Sequence, residues 1–537
     1  MVLRELMPNL HHLDLSDARI VANDYKYYNE YHTEDDILGA YSFYDLDNLI
    51  SIQLPTSITR IGRLAFYSCS NLSSILFPQT VTDIDWMAFE ECSNLKTVSD
   101  MSSVTIIRQQ AFSKCSSLTS IDLSSCTSIG AFAFEGCSSL TSIFIPESVT
   151  SIDHYVFGDC NSLTSIKVSS SNTFYNDGNG SNCIIESSSN KLIAGCNNTI
   201  IPSSVTSIGE VAFYRCRNLT SVTIPNSVTS IDDFAFWDCD GLASSGLTSV
   251  AIPNSVTSIG GYAFENCRDL TSVHIDDLPS WCRISFGEGL SSNPLYYAHH
   301  LFLDGEEIKD LVIPKNVTTI CATFLGCSGL TSVIVPGSVT NIGSSTFREC
   351  TRLTSVIIEN GVNSIDFGAF YQCSDLTSVT IPSSITSIGD WAFKACSNLT
   401  NIELPACTSI GSNVFSDCYK LESVILRTPE VAELSSSSSF PQTTKIYVPA
   451  NLLESYKTAK IWREIANQIF PIYTVLPGDV NQDGKVSIGD ITAMVEILQG
   501  RDNVEPYKYS HLAADLDEDG SITLADLAAL RDIILEK

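Results

Sequence analysis

The chain is predicted to fold as a solenoid of short parallel strands that ends in a small cation-binding unit. Three observations carry that expectation. Cysteines recur at a spacing of 23 residues, as in Cys69, Cys92 and Cys115, and again in Cys327, Cys350, Cys373 and Cys396, each with a Phe three residues before it. Within each copy, apolar and hydroxyl residues alternate with the period of a half-buried strand. Near the end of the chain, one Asp- and Gly-containing pattern occurs twice, 36 residues apart.

Residues 219–239 show the repeat. Val222 and Ile224 alternate with Ser221 and Thr223, a short strand with one buried face. Pro225 has no N–H to donate and ends the strand, and Asn226-Ser227 supplies a turn. Val228 to Ile231 form a second extended piece, and Phe234-Ala235-Phe236 is expected to begin a short helical turn that carries a ring inward. A period in the twenties with Leu-x-x-Val-x-Ile is the leucine-rich-repeat signature. One copy cannot bury its own apolar side, so copies must stack, with strands in parallel about 4.8 Å apart. Phe would then lie on Phe and Cys on Cys.

Composition narrows the functional classes. The 537 residues exceed what one compact core holds, a limit that a solenoid escapes because each repeat touches only its neighbours. A net charge of −31 argues against nucleic acid, whose phosphates need Lys and Arg. No apolar run approaches the ~18 residues of a membrane span. Residues 1–8 lack a basic segment followed by an apolar core, so no signal peptide is visible. Residues 8–15 already read as a repeat, so the chain is expected to open inside the solenoid, as a fragment or with its natural start upstream. Thirteen of the 19 cysteines occupy the one repeat position. They read as a ladder of small buried side chains, because stacked Cβ vectors run parallel, which is poor disulfide geometry. No Cys-x-x-Cys occurs, which argues against zinc.

In order, residues 1–426 are expected to form the solenoid, irregular at 1–48, 169–199 and 276–309. Phe43 holds the Phe position of the first part, with Leu46 in place of Cys. The second irregular part reads as a hairpin of Cys183-Ile-Ile185 with Lys191-Leu-Ile193, and the third ends in a hairpin turning at Asp304-Gly305. Residues 427–475 are expected to cap and link. Ile446 to Pro449 give one last strand, then residues 451–468 form a helix with Asn451 as N-cap and Glu454 three residues on. Leu452, Leu453, Tyr456, Ile461, Trp462 and Ile465 form its apolar side.

Residues 476–537 change character. Asp479, Asn481, Asp483, Ser487 and Asp490 recur as Asp515, Asp517, Asp519, Thr523 and Asp526. These are loop positions 1, 3, 5, 9 and 12 of a twelve-residue wrap around a hard, oxygen-loving cation. Gly484 and Gly520 take the sharp turn, and Lys485 and Ser521 offer backbone carbonyls at position 7. Position 12 is Asp where the EF-hand rule has Glu, and no long amphipathic helix precedes the first loop. This duplicated pattern resembles a type I dockerin domain. The resemblance implies a small all-α unit with two EF-hand-like loops, two Ca2+ ions, and docking onto a cohesin module of a scaffold protein. In that family, loop positions 10 and 11 take part in partner choice. Here they are Ile488-Gly489 and Leu524-Ala525 rather than a hydroxyl pair.

The repeat Leu-Thr-Ser-Val-Thr-Ile-Pro-x-Ser-Val-Thr-Ser-Ile-Gly-x-x-Ala-Phe-x-x-Cys resembles the BspA-like leucine-rich repeats of bacterial surface and secreted proteins. That resemblance covers about residues 1–470 and implies adhesion to, or ligand binding at, host or matrix surfaces. No Gly-rich phosphate loop, Gly-x-Ser-x-Gly or His-Glu-x-x-His is present. The one histidine cluster, His299-His300 beside Tyr296-Tyr297, lies in an irregular stretch and reads as a surface loop.

Within the strand, the residue between the two buried positions points outward and varies, from Gln53 and Asp122 to Lys167, His274 and Glu403. Val312, Ile334 and Ile357 are consecutive and apolar there. Two readings stand together: a partner-binding stripe, or plain strand-forming sequence. The expected protein is therefore a non-catalytic, secreted or surface-located repeat protein. Its solenoid binds a protein or glycan, and its calcium-loaded dockerin tethers it. The alternative is a component of a polysaccharide-degrading complex whose catalytic region lies upstream.

Overall fold

A computed structural model describes residues 9–28, 31–241, 246–472, 478–480, 486–499, 514, 516 and 522–535. Two ladders of parallel strands run along the repeats. In the wider one, Ser332–Val335, Ser355–Ile358 and Ser378–Thr380 pair in register, Val333 with Val356 and Val356 with Val379. The apolar residues of each strand are buried and the intervening ones face out, the alternation that a pleated strand imposes. The narrower ladder is built of two-residue strands, as in Asn341–Ile342, Ser364–Ile365 and Ser387–Ile388. Between the ladders the proline closes a tight turn, in which Val339 N–H donates to Pro336 O at 3.0 Å.

The Phe segment is not the helical turn expected of it. In the rung around Phe66, Leu64 and Ser68 both adopt left-handed backbone, with φ of 54° and 58°. A right-handed helix cannot pass through such residues. N–H groups instead alternate between two directions. Those of Ala65, Tyr67 and Cys69 close turns within the rung, at 3.1–3.3 Å. Those of Leu64, Phe66 and Ser68 donate to Trp86, Ala88 and Glu90 of the next rung, at 2.8–2.9 Å. Each left-handed non-Gly residue costs about 1–3 kcal/mol, and the bonds between rungs offset it. The same pair of positions is left-handed at Met87 and Glu91, Tyr262 and Asn266, and Trp391 and Ala395.

The rings do stack. Phe66 and Phe89 lie 5.0 Å apart at 7°, and Phe370 lies 5.3 Å from Phe347 and 5.2 Å from Phe393. All 19 cysteines are free, and only Cys321 is exposed.

Residues 169–199 form the expected hairpin, Cys183–Glu186 against Lys191–Gly195. It is a wall between two stretches of core: Cys183, Ile185 and Leu192 pack toward later rungs, Ile184 and Cys196 toward earlier ones. Gly195 stands beside the Phe213 ring, where a Cβ would come within 2.2 Å, so only glycine fits. The 276–309 break contains two short helices that sequence reasoning missed, Leu278–Cys282 and Leu295–Ala298. Asp304 and Gly305, with φ of 51° and 85°, turn its closing hairpin. Near the start, His12–Asp14 pairs with Ser51–Gln53, and Asn23–Tyr28 pairs antiparallel with Tyr31–Thr33.

The end of the solenoid departs from expectation twice. The single helix over 451–468 is instead a helix Leu453–Thr458 and a 3-10 segment Trp462–Gln468. Asn451 is not its N-cap, because the helix starts after Leu452 with no side-chain cap, and Ala459 is extended (ψ 150°). The break lets two rings reach the last rung: Trp462 Nε1 donates to Ala432 O at 2.7 Å, and Tyr456 Oη lies 2.8 Å from Thr428 Oγ1. Residues Ile446 to Pro449 are not the last strand either, because Ile469–Ile472 pairs parallel to Lys445–Pro449.

Beyond it, helices Ile488–Leu498 and Leu524–Leu535 share a small core of Val480, Ala493, Met494, Ala514 and Leu530.

Candidate functional site

The two C-terminal helices begin alike. Ser487 caps the first, accepting from Gly489 N–H at 3.2 Å, while Asp490 accepts from Ser487 N–H at 2.7 Å. In the second copy, Thr523 accepts from Ala525 N–H at 3.1 Å, and Asp526 accepts from Thr523 N–H at 2.8 Å and from Leu516 N–H at 2.8 Å. Each is a reciprocal cap that satisfies helix N-terminal donors. Asp479, Asp490 and Asp526 are all buried. Buried carboxylates need compensation by donors or by a cation; among the described residues no three His, Cys, Asp or Glu converge as a cation site. Asn481, Asp483, Lys485, Asp515, Asp517, Asp519 and Ser521 lie outside the described residues. At the helix tips, Ile488 and Leu524 are each 74% exposed, and Gly489 and Ala525 are exposed beside them.

On the wider ladder, Val312 pairs with Ile334 and Ile334 with Ile357, so the three lie on one line across adjacent strands. Val312 and Ile357 are exposed and Ile334 half-buried. The outward position turns polar at Thr380 and Glu403 and is apolar again where Ile425 pairs with Tyr447 and Tyr447 with Phe470. Tyr447 lies on the expected strand, whereas Phe470 was missed because the strand Ile469–Ile472 is short and contains Pro471.

Two open grooves flank the turns. One, of about 650 Å³, lies at the hairpin wall and is mostly acidic, with Asp153, Glu186, Glu210 and Asp233 around the Lys191–Asp232 ion pair of 2.8 Å. The other, of about 700 Å³, runs from His299 to Tyr419. The Tyr296-Tyr297-His299-His300 cluster disperses. His299 lines the second groove, His300 pairs with Glu307 at 2.6 Å, and Tyr297 Oη accepts from Asn266 N–H at 3.2 Å.

An ionic clasp crosses the hairpin break. Arg215 reaches Glu135 and Asp159, each at 3.2 Å, and Asp238 at 3.0 Å, while Arg217 pairs with the same two aspartates at 2.8 and 3.0 Å. Burial raises the Glu135 carboxyl, and the Arg215 charge opposes that shift. Burial likewise pushes Tyr214 up to about 12.

Stacked rungs of this geometry, followed by a paired-helix unit rich in oxygen donors, define a repeat solenoid of the leucine-rich class with an appended docking-type module. The chain belongs to the BspA type leucine rich repeat family, which matches in six copies over residues 36–164, 101–194, 185–278 and 297–422. Residues 477–535 match the dockerin type I domain. Neither module is a catalytic one. No curated protein matches the chain. Among solved structures, a leucine-rich repeat protein from Eubacterium ventriosum is 26% identical with a TM-score of 0.44, over 65% of this chain and 83% of that one. One from Bacteroides ovatus is 22% identical with a TM-score of 0.38, over 87% and 93%. The pneumococcal vaccine antigen PcpA is 15% identical with a TM-score of 0.29, over 87% and 90%. Among the described residues no helix is long and apolar enough to cross a membrane.

Proposed function

We propose that this is a secreted or surface-held, non-catalytic binding protein. Its solenoid engages a protein or glycan, and its dockerin, loaded with two Ca2+ ions, tethers it to a cohesin module on a scaffold. The observation that carries this reading is the union of a long repeat frame with a docking module in one chain. The ions are assigned to Asp479, Asn481, Asp483, Lys485 (through its carbonyl), Ser487 and Asp490, and to Asp515, Asp517, Asp519, Ser521 (through its carbonyl), Thr523 and Asp526. Ile488, Gly489, Leu524 and Ala525 form the cohesin-facing tips. They suit that role because apolar side chains exposed at two equivalent helix starts offer an apolar contact on either copy. Val312, Ile334 and Ile357 are the solenoid's partner stripe.

Calorimetric titration of the chelator-treated chain with Ca2+ is the test. Two ions per chain and calcium-dependent capture by an immobilised cohesin are expected. No calcium heat, or cohesin capture unchanged in chelator, would overturn the tether.

A further inference from the structure

No residue of the stripe and none of the C-terminal helices lines the groove between His299 and Tyr419. Its wall is a comb. Glu349, Gln372, Ala395 and Asp417 occupy the same position in successive rungs, all with φ between 60° and 64°, so their side chains leave the backbone in the same direction. Two residues further along each rung stand Thr351, Ser374, Ser397 and Tyr419. With rungs about 4.8 Å apart, the groove from the Ser328 rung to the Tyr419 rung is roughly 19 Å long.

Two neighbouring rungs break the pattern together. Ala395 stands where its neighbours carry Gln or Asp, which opens space in the floor. Tyr419 stands where the preceding rungs carry a small hydroxyl, and its ring is 77% exposed. An exposed ring beside a gap, rimmed by hydrogen-bonding groups, is a stacking platform with polar sides. Tyr419 Oη lies 3.2 Å from Asp417 Oδ1, which orients the ring. Tyr371 is a second lining ring, under the Arg348 guanidinium at 4.8 Å.

The chemistry of the wall selects among ligands. Its charges are matched internally: Lys394 lies 3.7 Å from Asp417, and Arg348 lies 3.0 Å from Glu349. A charged ligand would have to break these pairs, and a neutral one need not. The backbone offers no open edge to an extended peptide, because the N–H groups of Glu349, Gln372 and Ala395 all donate to the next rung at 2.7–2.8 Å. Peptide docking by strand addition needs such an edge. Recognition is left to hydroxyl, amide and carboxylate side chains repeating at the rung spacing, and to aromatic faces. A polyhydroxylated chain whose rings present C–H faces to aromatic π-clouds fits both.

We propose that this groove binds a neutral oligosaccharide, lying along the solenoid with one sugar stacked on Tyr419 and its neighbours hydrogen-bonded to the comb. This deepens the reading of the solenoid as a partner-binding frame, and it is independent of the calcium tether.

The test is calorimetry of the full chain with cellohexaose, xylohexaose and mannohexaose, alongside oligogalacturonate and a neutral Ser/Gly/Thr peptide. At least one neutral hexaose should bind. Tyr419→Ser, which restores the residue type of the preceding rungs, and Ala395→Glu, which fills the floor, should each weaken it about tenfold or more. Leu76→Ser, an exposed position on a distant rung, should leave it unchanged, and so should chelator, so failure here is distinguishable from failure of the tether. Silence from all three hexaoses at millimolar concentration, unweakened binding in both groove variants, or preference for oligogalacturonate or the peptide would each overturn the assignment.

Discussion

The Cys373 thiol donates to the carbonyl oxygen of Phe347, in the rung before it, at 3.1 Å. Cys92 to Phe66, Cys239 to Phe213 and Cys396 to Phe370 repeat the link at 3.0–3.2 Å. The carbonyl that each thiol reaches lies inside the stack, so the cysteine ladder does more than fill space. It gives a second donor to a carbonyl that already accepts a backbone N–H, as Phe347 O does from Cys350 N–H at 3.2 Å, and it must stay protonated to do so.

That requirement gives stability a pH dependence. Burial pushes Cys69 and Cys327 up to about 12, and Cys126 and Cys407 to about 11. A group whose folded pKa is raised holds its proton longer in the folded state. Its stabilisation is therefore complete below the unfolded thiol value of about 8.5 and is lost as pH rises through the folded one. Each such thiol gives a slope of about 1.4 kcal/mol per pH unit in that window. Melting temperature should fall steadily between pH 8.5 and 11, and a flat or rising profile would contradict the ladder. At neutral pH Ellman's reagent should react rapidly with Cys321 alone in the folded chain.

The Phe370→Ala variant should lose about 3–5 kcal/mol, as a cavity opens between Phe347 and Phe393. Rungs couple to nearest neighbours, so hydrogen exchange should accelerate in the adjacent rungs and stay unchanged around Phe66. Uniform acceleration would contradict one-dimensional coupling.

Arg215→Ala should weaken the hairpin break by about 1–3 kcal/mol, because Glu135 and Asp159 lose a shared partner. Without that cation, the Glu135 carboxyl should rise further. A raised folded carboxyl favours stability only below its unfolded value of about 4.3, so the deficit should be largest at pH 7 and shrink toward pH 4.5. Urea melts at the two pH values check this, and a deficit that grows on acidification would refute it.

Substituting Ser at Val312, Ile334 and Ile357 together should leave the circular dichroism spectrum unchanged, because hydroxyl residues already fill this outward position at Ser99 and Thr223. Loss of capture by a partner identified with the parent chain is the expected result. Retained capture would reduce the stripe to strand-forming sequence.

Asp490→Ala removes a helix cap and an assigned calcium ligand at once. The cap contributes about 1 kcal/mol. Calcium stoichiometry should fall from two ions to one, and the Asp526→Ala variant should behave the same way. A variant that still binds two ions would remove Asp490 from the ligand set.

Local periodicity determined much of this protein. Alternation in Val222 and Ile224, the proline stop and the Phe-x-x-Cys spacing specify strands, turns and a stacked core, because each rests on contacts within one rung or with an identical neighbour. The duplicated Asp pattern likewise carries the docking module in its own residues. Tertiary structure decided what depends on unlike neighbours. The left-handed backbone at Leu64 and Ser68 belongs to a segment whose alternate N–H groups, from Leu64, Phe66 and Ser68, are taken by the next rung, a partner that no single copy reveals. The helix expected at Asn451 breaks because Trp462 and Tyr456 must both reach the last rung. The groove gathers residues as far apart in sequence as His299 and Tyr419, which only the stacking of one rung on the next brings to a single wall.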